Sequence, residues 1–90
     1  MKSFNHKVAA ITGAASGIGR ALALNLARRG MALALVDRDA AGLQRVADQA
    51  AVAGVVVSRH VADLAERAQV EAVLPAVLAA HGRLTLLVNN

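Results

Sequence analysis

The feature that most constrains the fold of this chain is an alternation: short, continuously apolar runs take turns with stretches in which apolar residues recur every three or four positions. Lys7-Val8-Ala9-Ala10-Ile11-Thr12 is apolar on consecutive positions and closes at Gly13, the pattern of a strand buried on both faces. From Gly17 the spacing changes. Ile18, Leu22 and Leu26 fall on one side of a helix that ends in Arg28-Arg29-Gly30, with cations in the last turn and glycine just beyond. Met31 to Val36 is a second strand running into Asp37-Arg38-Asp39, where Asp39 can cap a second helix. That helix carries its apolar face on Leu43, Val46, Ala47 and Ala50, and Gly54 ends it.

Val55 to Val61 is β-branched enough for a third strand, and Arg59 and His60 point to a place near the sheet edge. A third helix is expected after Asp63, with the stripe Val70, Val73, Leu74, Val77, Leu78. Pro75 lies inside it and should bend it, because proline brings no amide hydrogen to the ladder. Gly82 closes that helix, and Leu84 to Val88 gives a fourth strand before Asn89-Asn90. The order is β-α-β-α-β-α-β, with no proline- or serine-rich linker and no repeat. Such alternation implies parallel strands joined by right-handed crossover helices on both faces of the sheet, half of a doubly wound α/β fold.

Composition narrows the partners. The net charge of +4 belongs to arginines scattered over helix faces and ends, and Phe4 is the lone aromatic, so no platform exists for stacking nucleic-acid bases. With 57% hydrophobic residues the chain reads as folded, yet 90 residues bury only a modest core. It has no cysteine, which removes disulfides and thiolate chemistry. Met1 to Lys7 lacks the apolar run of a secretory signal, and no stretch approaches the roughly 18 apolar residues of a membrane span. A soluble, cytoplasmic protein without a membrane or nucleic-acid partner is the expectation. His6, His60 and His81 lie far apart without ligand-like spacing, so no metal site is expected.

Thr12-Gly13-Ala14-Ala15-Ser16-Gly17-Ile18-Gly19 joins the first strand to the first helix, where a phosphate-binding turn belongs. Glycine permits the tight turn and close approach to the backbone, and the helix start offers amide donors and a positive dipole end to a pyrophosphate. Gly19 lets helix and strand pack closely. The spacing is Gly-x-x-x-Gly-x-Gly, not the common Gly-x-Gly-x-x-Gly fingerprint. With Thr12 in front, it resembles the cofactor turn of the short-chain dehydrogenase/reductase family.

The resemblance extends over residues 7 to 90 through three further positions. Asp37, 24 residues after Gly13, ends the second strand where a carboxylate can accept from adenosine ribose hydroxyls and disfavour the extra phosphate of NADP. Arg38 beside it could stack on adenine or pair with that phosphate, which leaves NAD the preferred cofactor and NADP the alternative. Asp63-Leu64 resembles the pair that holds the adenine, although Asp63 with Glu66 also reads as a capping arrangement for the third helix. Leu87-Val88-Asn89-Asn90 resembles the opening of the family's Asn-Asn-Ala-Gly motif, whose asparagines would bridge strand ends and line the adenosine pocket; a plain turn is the other meaning of Asn-Asn.

The resemblance implies a Rossmann-type three-layer α/β/α fold, a parallel sheet in the order 3-2-1-4, with residues 1–90 forming the N-terminal half of an NAD(P)-binding domain. Its implied partners are a nicotinamide dinucleotide and, in the complete enzyme, a small-molecule alcohol or carbonyl substrate, in a homo-oligomer. The family's catalytic tyrosine, lysine, serine and further asparagine have no counterparts here: the chain has no tyrosine, and its only lysines are Lys2 and Lys7. Ser16 lacks a neighbouring base, so a hydroxyl facing phosphate or ribose is the better reading than a nucleophile. The expectation is an inactive front end of an oxidoreductase; the other reading is a non-catalytic nucleotide-binding module or truncated gene product. An open edge on the fourth strand and exposed apolar surface on the third helix should promote self-association.

Overall fold

The computed structural model describes residues 7–90, so the readings of Lys2, Phe4, His6 and the segment Met1 to His6 lie outside the described residues. Seven elements follow in the expected order: β1 (Val8–Thr12), α1 (Gly17–Arg28), β2 (Ala32–Asp37), α2 (Ala40–Ala51), β3 (Val57–Val61), α3 (Arg67–His81) and β4 (Leu86–Val88). The sheet order is β3-β2-β1-β4 and every pairing is parallel. This is the Rossmann-type arrangement.

The apolar strands occupy the centre because only there are both faces covered. Ala9, Ile11, Leu33 and Leu35 point to one side and pack with Ala23, Leu26, Ala27, Leu43, Val46, Ala47 and Ala50 from α1 and α2. Ala10 and Ala34 point to the other side, where Val77 of α3 meets them. The core is therefore lopsided, large beneath α1 and α2 and small beneath α3. Arg59 and His60 are on β3 at the sheet edge, as their polarity required.

Two helices depart from their sequence patterns. In α1 the buried face is Gly19, Ala23, Leu26 and Ala27, while Ile18, expected on the apolar stripe, is 78% exposed and Leu22 only half-buried. Small residues win because the helix start must lie almost on the β1 turn. Ile18, one residue round from Gly19, is rotated about 100° off that face.

α3 starts later than expected. Its N-cap is Glu66, whose side chain makes no cap bond, and Asp63 instead folds a turn ahead of it. The Asp63 Oδ1 accepts from the Ala65 amide at 3.0 Å and its carbonyl from the Glu66 amide at 3.0 Å, so the Asp63–Glu66 capping box is not formed. The helix continues through Pro75 and closes at Gly82, whose amide donates to the Leu78 carbonyl at 2.8 Å in a left-handed conformation. Of its stripe only Val77 is buried; Val70, Leu74 and Leu78 are 42–50% exposed. Val70, Leu74 and Val77, with Leu64, Leu84 and Leu87, border an apolar groove of about 430 Å³. No helix among the described residues is long and apolar enough to cross a membrane.

Candidate functional site

The sequence-predicted residues gather at the carboxyl ends of β1, β2, β3 and β4, where parallel strands deliver the loops that follow them. Gly13 has φ +64° and Gly17 φ +59°, both in the left-handed region that side chains disfavour, and between them the chain reverses from strand to helix. Gly19 is required by proximity. A Cβ there would collide with the Gly13 carbonyl oxygen and lie 2.8 Å from its carbon and 2.9 Å from Asn90 Nδ2.

Not every amide of the turn is free to receive a ligand. The Ala14 amide donates to the Val36 carbonyl at 3.2 Å and the Ala15 amide to Asp37 Oδ2 at 3.0 Å. Ala14 is buried with its methyl in the core. The donors of the first α1 turn, from Gly17 to Gly19, have no intrahelical acceptors. No acidic side chain occupies that turn to compete for them. Ser16 is the N-cap, exposed and without a side-chain cap bond, and Gly17 and Ile18 are exposed beside it.

Gly13, Asp37, Arg38, Asp63, Leu64 and Asn90 line one shallow cleft of about 220 Å³, together with Ala62 and Ala65, which sequence reasoning did not single out. Asp37 is half-buried, and its second oxygen accepts from the Asp39 amide at 3.0 Å. Arg38 is exposed on the rim. Asn89 lies apart from this cleft, on the apolar groove under α3.

Thr12 ties the ends of β1 and β4. It is buried, its hydroxyl accepts from the Asn90 amide at 2.9 Å, and its proton has the Asn89 Oδ1 at 3.1 Å and the Val88 carbonyl at 3.3 Å within reach. The Asn90 side chain donates to the Gly13 carbonyl at 3.4 Å. The asparagines thus bridge neighbouring strand ends, as their position suggested.

A second cluster was hidden by sequence distance. His60 Nε2 and His81 Nε2 each lie 2.7 Å from the Ser58 hydroxyl, joining β3 to the last turn of α3. Burial lowers the His60 pKa below the ordinary value, and the neighbouring His81 lowers it further. Burial also lowers the pKa of His81, against the raising effect of a hydrogen bond to the Leu33 backbone. Among the described residues no group of three His, Cys, Asp or Glu side chains converges in a metal-binding arrangement.

A parallel sheet in this order, with a glycine turn opening onto α1 and two acidic strand ends beside it, defines a Rossmann nucleotide-binding class. The chain belongs to the short chain dehydrogenase family, whose sequence pattern matches residues 7–90, and it is an oxidoreductase family. It is 48% identical over 90 residues to a protein called SadH from Mycobacterium tuberculosis, covering all of this chain and 33% of that one. A short chain dehydrogenase/reductase from Burkholderia phymatum, solved in complex with NAD, superposes with a TM-score of 0.88 at 45% identity, over 97% of this chain and 31% of the other. A metagenomic short-chain oxidoreductase in complex with NADP gives 0.88 at 38% identity, over 94% and 38%. The chain spans about a third of the length of the curated relatives it matches.

Proposed function

We propose that residues 1–90 form the N-terminal half of an NAD(P)-binding Rossmann domain, in a short-chain oxidoreductase that interconverts an alcohol and a carbonyl. The observation that carries this reading is the single cleft onto which Gly13, Asp37, Arg38, Asp63, Leu64 and Asn90 converge beside the open amides of α1. The cofactor, when bound, supplies the hydride acceptor or donor; the residues of this chain hold it.

In this reading the amides of Gly17, Ile18 and Gly19, with the Ser16 hydroxyl, receive the pyrophosphate, and the positive end of the α1 dipole favours its charge. Gly13, Ala14 and Ala15 shape the turn. Asp37 accepts from the adenosine ribose, Arg38 covers the adenine, and Asp63 with Leu64 holds the adenine edge. Asn90 lines the ribose side of the cleft, and Asn89 secures the strand end next to it. The fit rests on the close approach of α1 to the turn that Gly19 permits and on a first helical turn without an acidic side chain. Substrate binding and proton transfer are assigned outside residues 1–90, which hold no tyrosine and only Lys2 and Lys7 as lysines.

Asp37 favours NAD over NADP. One pair of like charges about 4 Å apart in a water-like medium costs about 1 kcal/mol, close to fivefold in affinity, and a phosphate dianion doubles the charge. Calorimetric titration of both nucleotides tests the assignment. Asp37→Ala should move the affinity ratio toward NADP by about fivefold or more, and an unchanged ratio would refute the role of its charge.

A further inference from the structure

The glycine turn is held from outside by the junction of β2 and α2. Ala14 and Ala15 spend their amides on the Val36 carbonyl and on Asp37 Oδ2. Asp37 is itself fixed, since its other oxygen accepts from the Asp39 amide at 3.0 Å. Asp39 in turn accepts from the Gly42 amide at 3.0 Å, as the N-cap of α2. A chain of backbone-to-carboxylate bonds therefore runs from the first turn of α2 to the middle of the glycine turn.

Gly42 closes the arrangement by steric contact. It is buried in the first turn of α2, where alanine would ordinarily be the better helix former. A Cβ at Gly42 would lie 2.5 Å from Asp39 Oδ2 and 2.8 Å from the Ala15 Cβ. The Asp39 carboxylate could swing away, at the loss of its cap. The Ala15 methyl cannot, because it is fixed to the backbone of the turn.

We propose that Asp37 and Gly42 are positioning residues of the glycine turn: the β2–α2 junction shapes the turn before any nucleotide arrives, and nucleotide affinity depends on that shape. This rests on the reading of the turn as the pyrophosphate site. The physical need is plain. A turn rich in glycine has more conformational freedom to lose than any other, and a site left to order itself on binding is correspondingly weaker. Asp37 thus carries two separable properties, a charge that discriminates between nucleotides and an acceptor that braces Ala15.

Three variants separate them. Gly42→Ala keeps the Asp37 charge and disturbs the turn, so NAD and NADP affinity should fall together by about tenfold, or about 1.4 kcal/mol, with their ratio unchanged. Asp37→Asn removes the charge and one of the two acceptor oxygens, keeping one for Ala15, so the ratio should move toward NADP while the Ala15 amide stays protected. Asp37→Ala should do both.

Hydrogen exchange on the nucleotide-free chain gives a second readout: the Ala15 amide should be protected in wild type and lose that protection in Asp37→Ala and Gly42→Ala. An Ala15 amide that exchanges freely in wild type overturns the brace, as does a folded Gly42→Ala protein with unaltered affinities. If Gly42→Ala fails to fold by circular dichroism, the contrast between Asp37→Asn and Asp37→Ala decides, and equal exchange in the two overturns it. A wild-type chain that binds neither nucleotide sinks the functional reading alone, while protection of Ala15 lost in Asp37→Ala still upholds the brace.

Discussion

Replacing Gly19 with alanine is the most direct test of why the turn has the sequence it has. Elsewhere in a helix the change would gain about 1 kcal/mol, because alanine loses less backbone freedom on folding. Here the added methyl meets the Gly13 carbonyl group, with the carbon 2.8 Å away, and Asn90 Nδ2 at 2.9 Å. The asparagine side chain can move; the carbonyl cannot, because Gly13 lies between β1 and the Asn90 contact. The helix must back away, which disturbs the packing of Ala23, Leu26 and Ala27 on the sheet.

Overpacking of this kind costs about 1–3 kcal/mol, and a clash with backbone belongs at the upper end. After the propensity gain the net loss should be about 2 kcal/mol. For a domain of this size that lowers the melting temperature by about 8–16 °C. Thermal unfolding followed by circular dichroism measures it. The double variant with Asn90→Ala distinguishes the two obstacles: if the carbonyl is the barrier, truncating Asn90 restores nothing. A melting temperature equal to or above that of wild type, or full recovery in the double variant, would refute the close-approach argument.

The two histidines make stability depend on pH. Both have folded pKa values below the usual 6.5, so on acidification the unfolded chain takes up protons first. Stability should be fully present above about 6.5 and should decline as pH falls toward the lowered folded values. Urea midpoints between pH 8 and pH 5 should show this decline, and His81→Gln should flatten it; a wild-type midpoint that holds or rises would contradict it. The exposed stripe of α3 predicts self-association of the 90-residue chain, reduced by Leu74→Gln with Leu78→Gln. Sedimentation velocity reads the outcome, and a monodisperse wild-type monomer would overturn the prediction.

The strands and their order were legible because their signal is local. A run such as Ala32–Asp37 is continuously apolar whatever surrounds it, and parallel alternation leaves few ways to arrange four strands. The caps at Asp39 and Gly82 were legible for the same reason. The helix faces were less so. Ile18 fits a four-residue stripe, but the face of α1 is chosen by how closely Gly19 approaches Gly13, a tertiary distance that periodicity does not contain. Asp63 shows the same limit in a loop. Its spacing to Glu66 matches a capping box, yet the local turn to Ala65 takes the carboxylate instead. Ser58, His60 and His81 converge only once α3 is laid across β3.

The relation between Asp37 and the glycine turn lies between these cases, because it follows from the sheet register. Thr12 pairs with Val36, so one residue further along, Gly13 leaves β1 beside Asp37, the last residue of β2. A carboxylate at that place faces the turn's amides before it faces any ligand, and the bond from Ala15 is the consequence. Strand order alone therefore predicts that a residue ending β2 will act on the loop ending β1. What it leaves open is the small residue that lets α2 close in behind. Gly42 looks like an ordinary weak point of a helix until the Ala15 methyl occupies the space where its side chain would have been.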